Sequence, residues 1–110
     1  MAYTSRMTYG PMVSLSSASM TASYQAIGVP LASAASIVKV VNDTTQDITI
    51  SIDGSTDHDF IPAGSFFLYD VSSDTPGSTA VFMPQGTKYF VKGTAGTGSV
   101  YLVYLYPIQT

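Results

Sequence analysis

Residues 100–106 read Val-Tyr-Leu-Val-Tyr-Leu-Tyr, a β-prone run with an apolar or aromatic side chain at every position. In an extended strand successive side chains point to opposite faces. Val100, Leu102 and Tyr104 therefore share one side, and Tyr101, Val103 and Leu105 the other. Such a strand reads as covered on both sides. One face packs a core; the second needs a cover, either the chain's own N-terminal segment or another subunit.

The rest of the chain supplies partners for that strand. Its 110 residues leave room for one hydrophobic core. From Tyr24 onward short β-like runs alternate with turn residues about every ten positions, as in an all-β sandwich. Tyr24–Leu31 reads as a first strand and Ile37–Val41 as a second, closed by the turn cluster Asn42-Asp43-Thr44-Thr45. Ile48, Ile50 and Ile52 alternate with Thr49 and Ser51, which places three isoleucines on one buried face before the Asp53-Gly54 turn. Phe66–Val71 follows Pro62-Ala63-Gly64; a loop is expected over Ser72–Ser78, and a short run at Val81–Met83 stops at Pro84-Gln85-Gly86. Tyr89–Val91 and Val100–Tyr106 are expected to form a hairpin around Gly93-Thr94-Ala95-Gly96-Thr97-Gly98. The expected fold is a small β-sandwich, Ig-like or jelly-roll, over residues 24–110, with an extended N-terminal arm over residues 1–23.

The arm lacks sustained periodicity but carries Met7, Tyr9, Met12, Val13, Leu15 and Met20. Alone it would not offset its ordering entropy, so it is expected to order only when laid along a neighbour. These six residues, with Tyr101, Val103 and Leu105, form the candidate assembly interface. Removal of residues 1–20 is expected to leave the domain folded and to weaken assembly.

Charge points the same way. Only 10% of residues are charged, against roughly 25% in an average domain. A surface of Ser, Thr, Tyr, Asn and Gly is cheap to desolvate, which suits a protein covered by its neighbours. The net charge of −3 speaks against nucleic acid as a partner. With no Cys there is no disulfide and no thiol nucleophile. No apolar run approaches a membrane span, and the first residues lack the apolar stretch of a secretory signal, so no membrane is expected and the chain is expected to stay in the cytosol where it is made.

Candidate chemistry is thin. The single His58 lies in Asp53-Gly54-Ser55-Thr56-Asp57-His58-Asp59, where a Ser-His-Asp set is available by composition but no nucleophile-elbow sequence accompanies it. Asp53, Asp57 and Asp59 offer hard oxygens for calcium, yet their spacing is not that of an EF-hand, and carboxylates in such a loop more often cap turns. The glycine-rich stretch 93–98 lacks the following helix and Lys-Ser/Thr pair of a phosphate loop. Eight Tyr and five Phe could stack on sugars, although strand cores and interfaces use them more often. No catalytic residue, cofactor or resident metal is expected.

Several stretches carry a resemblance: Val38-Lys39-Val40-Val41-Asn42-Asp43-Thr44, Asp47 through Gly54, Asp57-His58-Asp59-Phe60-Ile61-Pro62-Ala63-Gly64-Ser65, and Leu68-Tyr69-Asp70. With Pro84-Gln85-Gly86-Thr87-Lys88-Tyr89-Phe90-Val91-Lys92-Gly93 and Gly96-Thr97-Gly98-Ser99-Val100-Tyr101, the pattern over residues 24–106 resembles the small virion structural proteins of tailed bacteriophages. The resemblance implies a β-sandwich repeated in symmetric copies on the head, neck or tail. It implies a decoration or head-tail joining role and contacts with capsid, portal, neck or tail subunits. A homo-oligomer made in the host cytoplasm and located in the virion follows from the same likeness. It supplies no catalytic or ligand residues. The alternative is a ligand-binding module, for a host glycan or for calcium-dependent adhesion, built on the Asp53–Asp59 loop and exposed tyrosines.

Overall fold

The computed structural model describes residues 5–70 and 83–109, with side chains over 7–70 and 83–106. Among the described residues nine strands follow in chain order: β1 Ser5–Tyr9, β2 Val13–Ser16, β3 Gln25–Ala26, β4 Ile37–Thr44, β5 Ile48–Ser51, β6 Asp59–Ile61, β7 Phe66–Asp70, β8 Phe90–Gly93 and β9 Gly98–Gln109. One 3₁₀ turn, Ser17–Ser19, follows β2. Sheet A runs β1-β9-β4-β7, with β2 also paired to β9; sheet B runs β3-β8-β5-β6. Every pairing is antiparallel. The two sheets pack face to face as a small β-sandwich.

The core lies between them. From sheet A, Val38 and Val40 of β4 and Val100, Leu102 and Tyr104 of β9 point inward; from sheet B, Ile48, Ile50, Ile61 and Val91 meet them. Tyr89, Ile27, Leu31 and Ala35 fill the remaining space. Burial of a large aliphatic or aromatic side chain contributes about 1.5–3 kcal/mol, so this cluster is the main stabilising term.

The isoleucine alternation holds for Ile48 and Ile50 but not for Ile52, which is 44% exposed. β5 ends at Ser51, because the buried Ser51 Oγ donates to the Asp53 carboxylate and accepts from the Gly54 N–H at 2.9 Å, which turns the chain one residue early. Regular pairing of the first expected strand is confined to Gln25–Ala26, since Gly28 turns at φ +66 with the Val13 side chain where its Cβ would stand. Looser pairing continues as Ile27 N–H to Tyr89 O and Leu31 N–H to Thr87 O. The expected loop over 72–78 and the run at 81–83, apart from Met83, lie outside the described residues; Met83 bridges to Ala35.

Two corrections change the topology. β8 and β9 are not a hairpin: β8 belongs to sheet B and β9 to sheet A, so residues 94–97 cross between layers. Gly98 makes this crossing possible at φ +92, where any Cβ would collide with the Asp43 carbonyl. The segment given to a neighbour pairs instead within its own chain. β1 runs along Leu105–Gln109 and β2 along Ser99–Leu102, both on the edge of β9. The Met20 side chain is buried in the core and Val13 and Leu15 pack against it, so apolar contact as well as strand pairing orders residues 13–20. Deletion of residues 1–10 should therefore leave a cooperative domain, whereas deletion of residues 1–20 should lower unfolding free energy by at least about 3 kcal/mol in urea titrations.

The cluster expected to be a turn is the end of β4, and Asn42 within it is buried. Its Nδ2 donates to Gln46 O at 2.9 Å and to Ile61 O at 3.0 Å, while its Oδ1 accepts from the Thr44 hydroxyl at 2.6 Å. Its backbone N–H reaches Ser65 O and its carbonyl accepts from the Gly64 N–H. The β4–β5 and β6–β7 crossings thus meet at one amide. Close by, Thr45 N–H donates to Thr97 O and Thr97 N–H to the Thr45 hydroxyl, which ties the β8–β9 crossing to the same corner. Asn42→Ala would strand the Ile61 carbonyl, while Gln46 O keeps the Thr44 hydroxyl at 2.8 Å, and is expected to cost about 2 kcal/mol by chemical denaturation.

Candidate assembly interface

In antiparallel pairs, residues directly opposite one another share a face. The outward face of sheet A is therefore read in rows across β7, β4 and β9. Phe66, Val41 and Tyr101 form one row; Leu68, Lys39 and Val103 the next; Asp70, Ile37 and Leu105 the third, continued by Tyr9 of β1. Phe66 is 63% exposed, Leu68 53% and Tyr9 69%. Tyr101, Val103, Leu105, Ile37 and Val41 are half-buried. Asp43, Ser99 and Ser16 form a polar fourth row at the end near the crossings.

Among the described residues, no strand lies over the side of β9 that needs a cover. The N-terminal strands join β9 edge to edge and do not fold over its face. Of the residues expected at an interface, Tyr9, Tyr101, Val103 and Leu105 lie on this face, with Met7 and Met12 exposed on the same edge segment. Val13, Leu15 and Met20 do not belong with them: they point inward and serve the core. Phe66, Leu68, Ile37 and Val41 were missed. Their signal was the same as that of β9, since Phe66-Phe67-Leu68-Tyr69 is apolar on both sides; Phe67 and Tyr69 pack on the core and leave Phe66 and Leu68 outside.

The Asp53–Asp59 loop spends its carboxylates on its own architecture. Asp53 Oδ1 accepts from Ser55 N–H and Thr56 N–H, each at 2.8 Å, and from the hydroxyls of Ser51 and Ser55. These backbone donors hold its carboxyl well below the usual carboxylate range. Asp57 accepts a short bond from the Tyr24 hydroxyl and pairs with Lys92 Nζ at 3.0 Å, which lowers its carboxyl too. Tyr24, losing solvent beneath the Lys92 ammonium and facing the Asp57 carboxylate, is pushed up to about 12. Asp59 caps the N–H of Phe60. The three carboxylates face different ways, and among the described residues no three His, Asp or Glu side chains converge to hold a metal. His58 Nδ1 accepts from Ile52 N–H at 3.1 Å, while Ser51 and Ser55 turn to Asp53 and not to His58. An open hollow of about 450 Å³ lies beside them, lined by Thr49, Asp57, His58, Asp59 and Phe60.

No protein family matches the chain, and no curated protein matches it in sequence. Solved structures resemble it distantly. The SPP1 Dit (gp 19.1) protein, described as a paradigm of the hub adsorption apparatus in phages infecting Gram-positive bacteria, aligns over 93% of this chain at 14% identity and a TM-score of 0.41; the chain spans 49% of that protein. A Bacillus endospore appendage protein, from a family of disulfide-linked pili, aligns over 96% of this chain and 90% of its own at 17% identity and TM-score 0.41. The SPBc2 prophage-derived protein YomS aligns over 87% and 94% at 12% identity and TM-score 0.42. Likeness of this degree reaches no further than a general arrangement of strands. Among the described residues no helix is long and apolar enough to cross a membrane.

The loop has a pH signature. The Asp53 carboxyl titrates below its ordinary 3.8 in the folded protein, so the fold favours its charged form. That contribution is complete above the unfolded value and drains away as the pH falls through the folded one. Melting temperatures taken from about pH 6 down to about pH 2.5 should fall more steeply for the native chain than for Asp53→Asn, which keeps the acceptor without the charge.

Proposed function

We propose that this chain is a non-enzymatic structural subunit of a tailed-phage virion, seated against neighbouring capsid, neck or tail subunits by the outward face of sheet A. The observation that carries the reading is that face: Phe66 and Leu68 stand more than half exposed beside Tyr101, Val103 and Leu105. A contiguous apolar patch on a small domain marks an interaction surface. In this chain it occurs where charge is scarce overall, so covering it strips water from few ions. The virion setting takes its support from the sequence pattern over residues 24–106. Decoration, neck and tail positions all fit a face of this kind, and within the N-terminal arm β1 and β2 widen the sheet beside it.

A ligand-binding module is the second reading, favoured by the hollow beside His58 with its exposed Phe60. Its carboxylates are already engaged, Asp57 with Tyr24 and Lys92 and Asp59 with its own turn, which leaves little to orient a sugar or bind calcium. The apolar face supports assembly more strongly.

The test is a Phe66→Ser, Leu68→Ser double variant supplied during particle assembly. Because both side chains are mostly exposed, the isolated variant should melt within a few degrees of the native chain. Its content in purified particles, measured by quantitative mass spectrometry, should fall at least tenfold by the area it no longer buries, about 1.4 kcal/mol or more. Normal incorporation of a folded variant would overturn the reading.

A further inference from the structure

The outward face of sheet A carries Lys39 near its middle, Asp43 towards one end and Asp70 on the outer strand β7; Asp70 is already engaged, and the placement of the other two says what can lie against the face. Lys39 and Asp43 are on the same side of β4, two residues either way from Val41 and about 13 Å apart along the strand. Among the described residues neither has an ion-pair partner within the chain. Lys39 sits between Leu68 and Val103, so any partner that covers those apolar side chains also covers the ammonium and must supply an anion. Asp43 likewise needs a cation.

We infer that the occupant of this face is a second copy of the chain, packed face to face about a two-fold axis that passes at Val41 and runs across the strands. Under that operation the two β4 strands are antiparallel, and a residue n positions before Val41 meets one n positions after it in the partner copy. Each Lys39 then faces an Asp43, and the exchange occurs twice. Phe66, Val41 and Tyr101, which form one row, lie on the axis and meet their own counterparts, so the centre of the contact is aromatic and apolar. An axis along the strands would instead set Lys39 on Lys39 and Asp43 on Asp43. Self-complementarity of this kind is what a two-fold interface demands, and the angle between aligned sheets, about 30°, is compatible with it.

The inference rests on the reading of this face as the assembly surface, and it adds the identity of the first partner. Three or four short strands present a face at the small end of specific interfaces, so the pair is expected to dissociate in the micromolar range or weaker. In a larger assembly such a pair is the unit that is repeated.

Charge exchange tests it. Sedimentation equilibrium of the full chain up to about 1 mM should show a monomer–dimer equilibrium. Lys39→Glu alone sets a second carboxylate against Asp43, and Asp43→Lys alone sets a second ammonium against Lys39; each should weaken the pair at least tenfold. Mixing the two single variants should restore association as a heterodimer, and the double variant should pair with itself. Recovery on mixing has no counterpart if the singles merely fold poorly. A native chain that stays monomeric throughout, or single variants that pair as well as the native chain, would overturn the inference. If the chain is monomeric but the Phe66, Leu68 variant is still excluded from particles, the face serves a different protein and only the self-pairing falls. If dimers form as described but that variant enters particles normally, the self-pairing stands and the virion role of the face falls.

Discussion

The Asn42 side chain is the interaction on which the two-layer arrangement depends. A sandwich of short strands must pass its chain between layers several times, and each passage leaves backbone groups that no ladder can satisfy. Here two passages deliver a carbonyl each, Gln46 O and Ile61 O, to a single buried amide, with the Thr44 hydroxyl also on Gln46 O. A side chain with two donors and an acceptor in one plane is one of few that can serve such a junction. With that corner fixed, β4 and β5 diverge into separate sheets and the apolar faces of β4, β5, β8 and β9 are brought opposite one another.

Much of this was legible in the residues. The all-β class followed from short runs and turn chemistry, and alternation along β9 showed its two apolar faces, though not its central place between β1, β2 and β4. What escaped was the assignment of strands to layers. Gly93 through Gly98 has the composition of a hairpin turn, and nothing local distinguishes a turn that reverses within a sheet from one that climbs to the next; the distinction lies in contacts with Thr45 and Asp43, some fifty positions away. Asn42 was hidden for a related reason. Asn-Asp-Thr-Thr is ordinary turn chemistry, and only burial turns it into a strand end.

The candidate interface was half legible. Alternation along β9 named Tyr101, Val103 and Leu105, but the row mates on β4 and β7 required the register. In the N-terminal segment no periodicity separates the apolar residues into inner and outer sets. The fold divides them: Val13, Leu15 and Met20 turn to the core, and Met7, Tyr9 and Met12 stay outside. A segment can therefore be both a structural edge strand and part of a proposed binding face.

The position of β9 also has a consequence in time. It is the centre of sheet A, yet it comes after every strand it pairs with, including β1 at the other end of the described chain. Until its residues have left the ribosome, β1, β2 and β4 have no partner in common, and the sheet whose outer surface is the proposed docking face is incomplete. Pairings this distant along the chain also form slowly. On the proposed reading of that face, the molecule is thereby held back from its neighbours while it is being made, and becomes adhesive only once synthesis of that strand is finished.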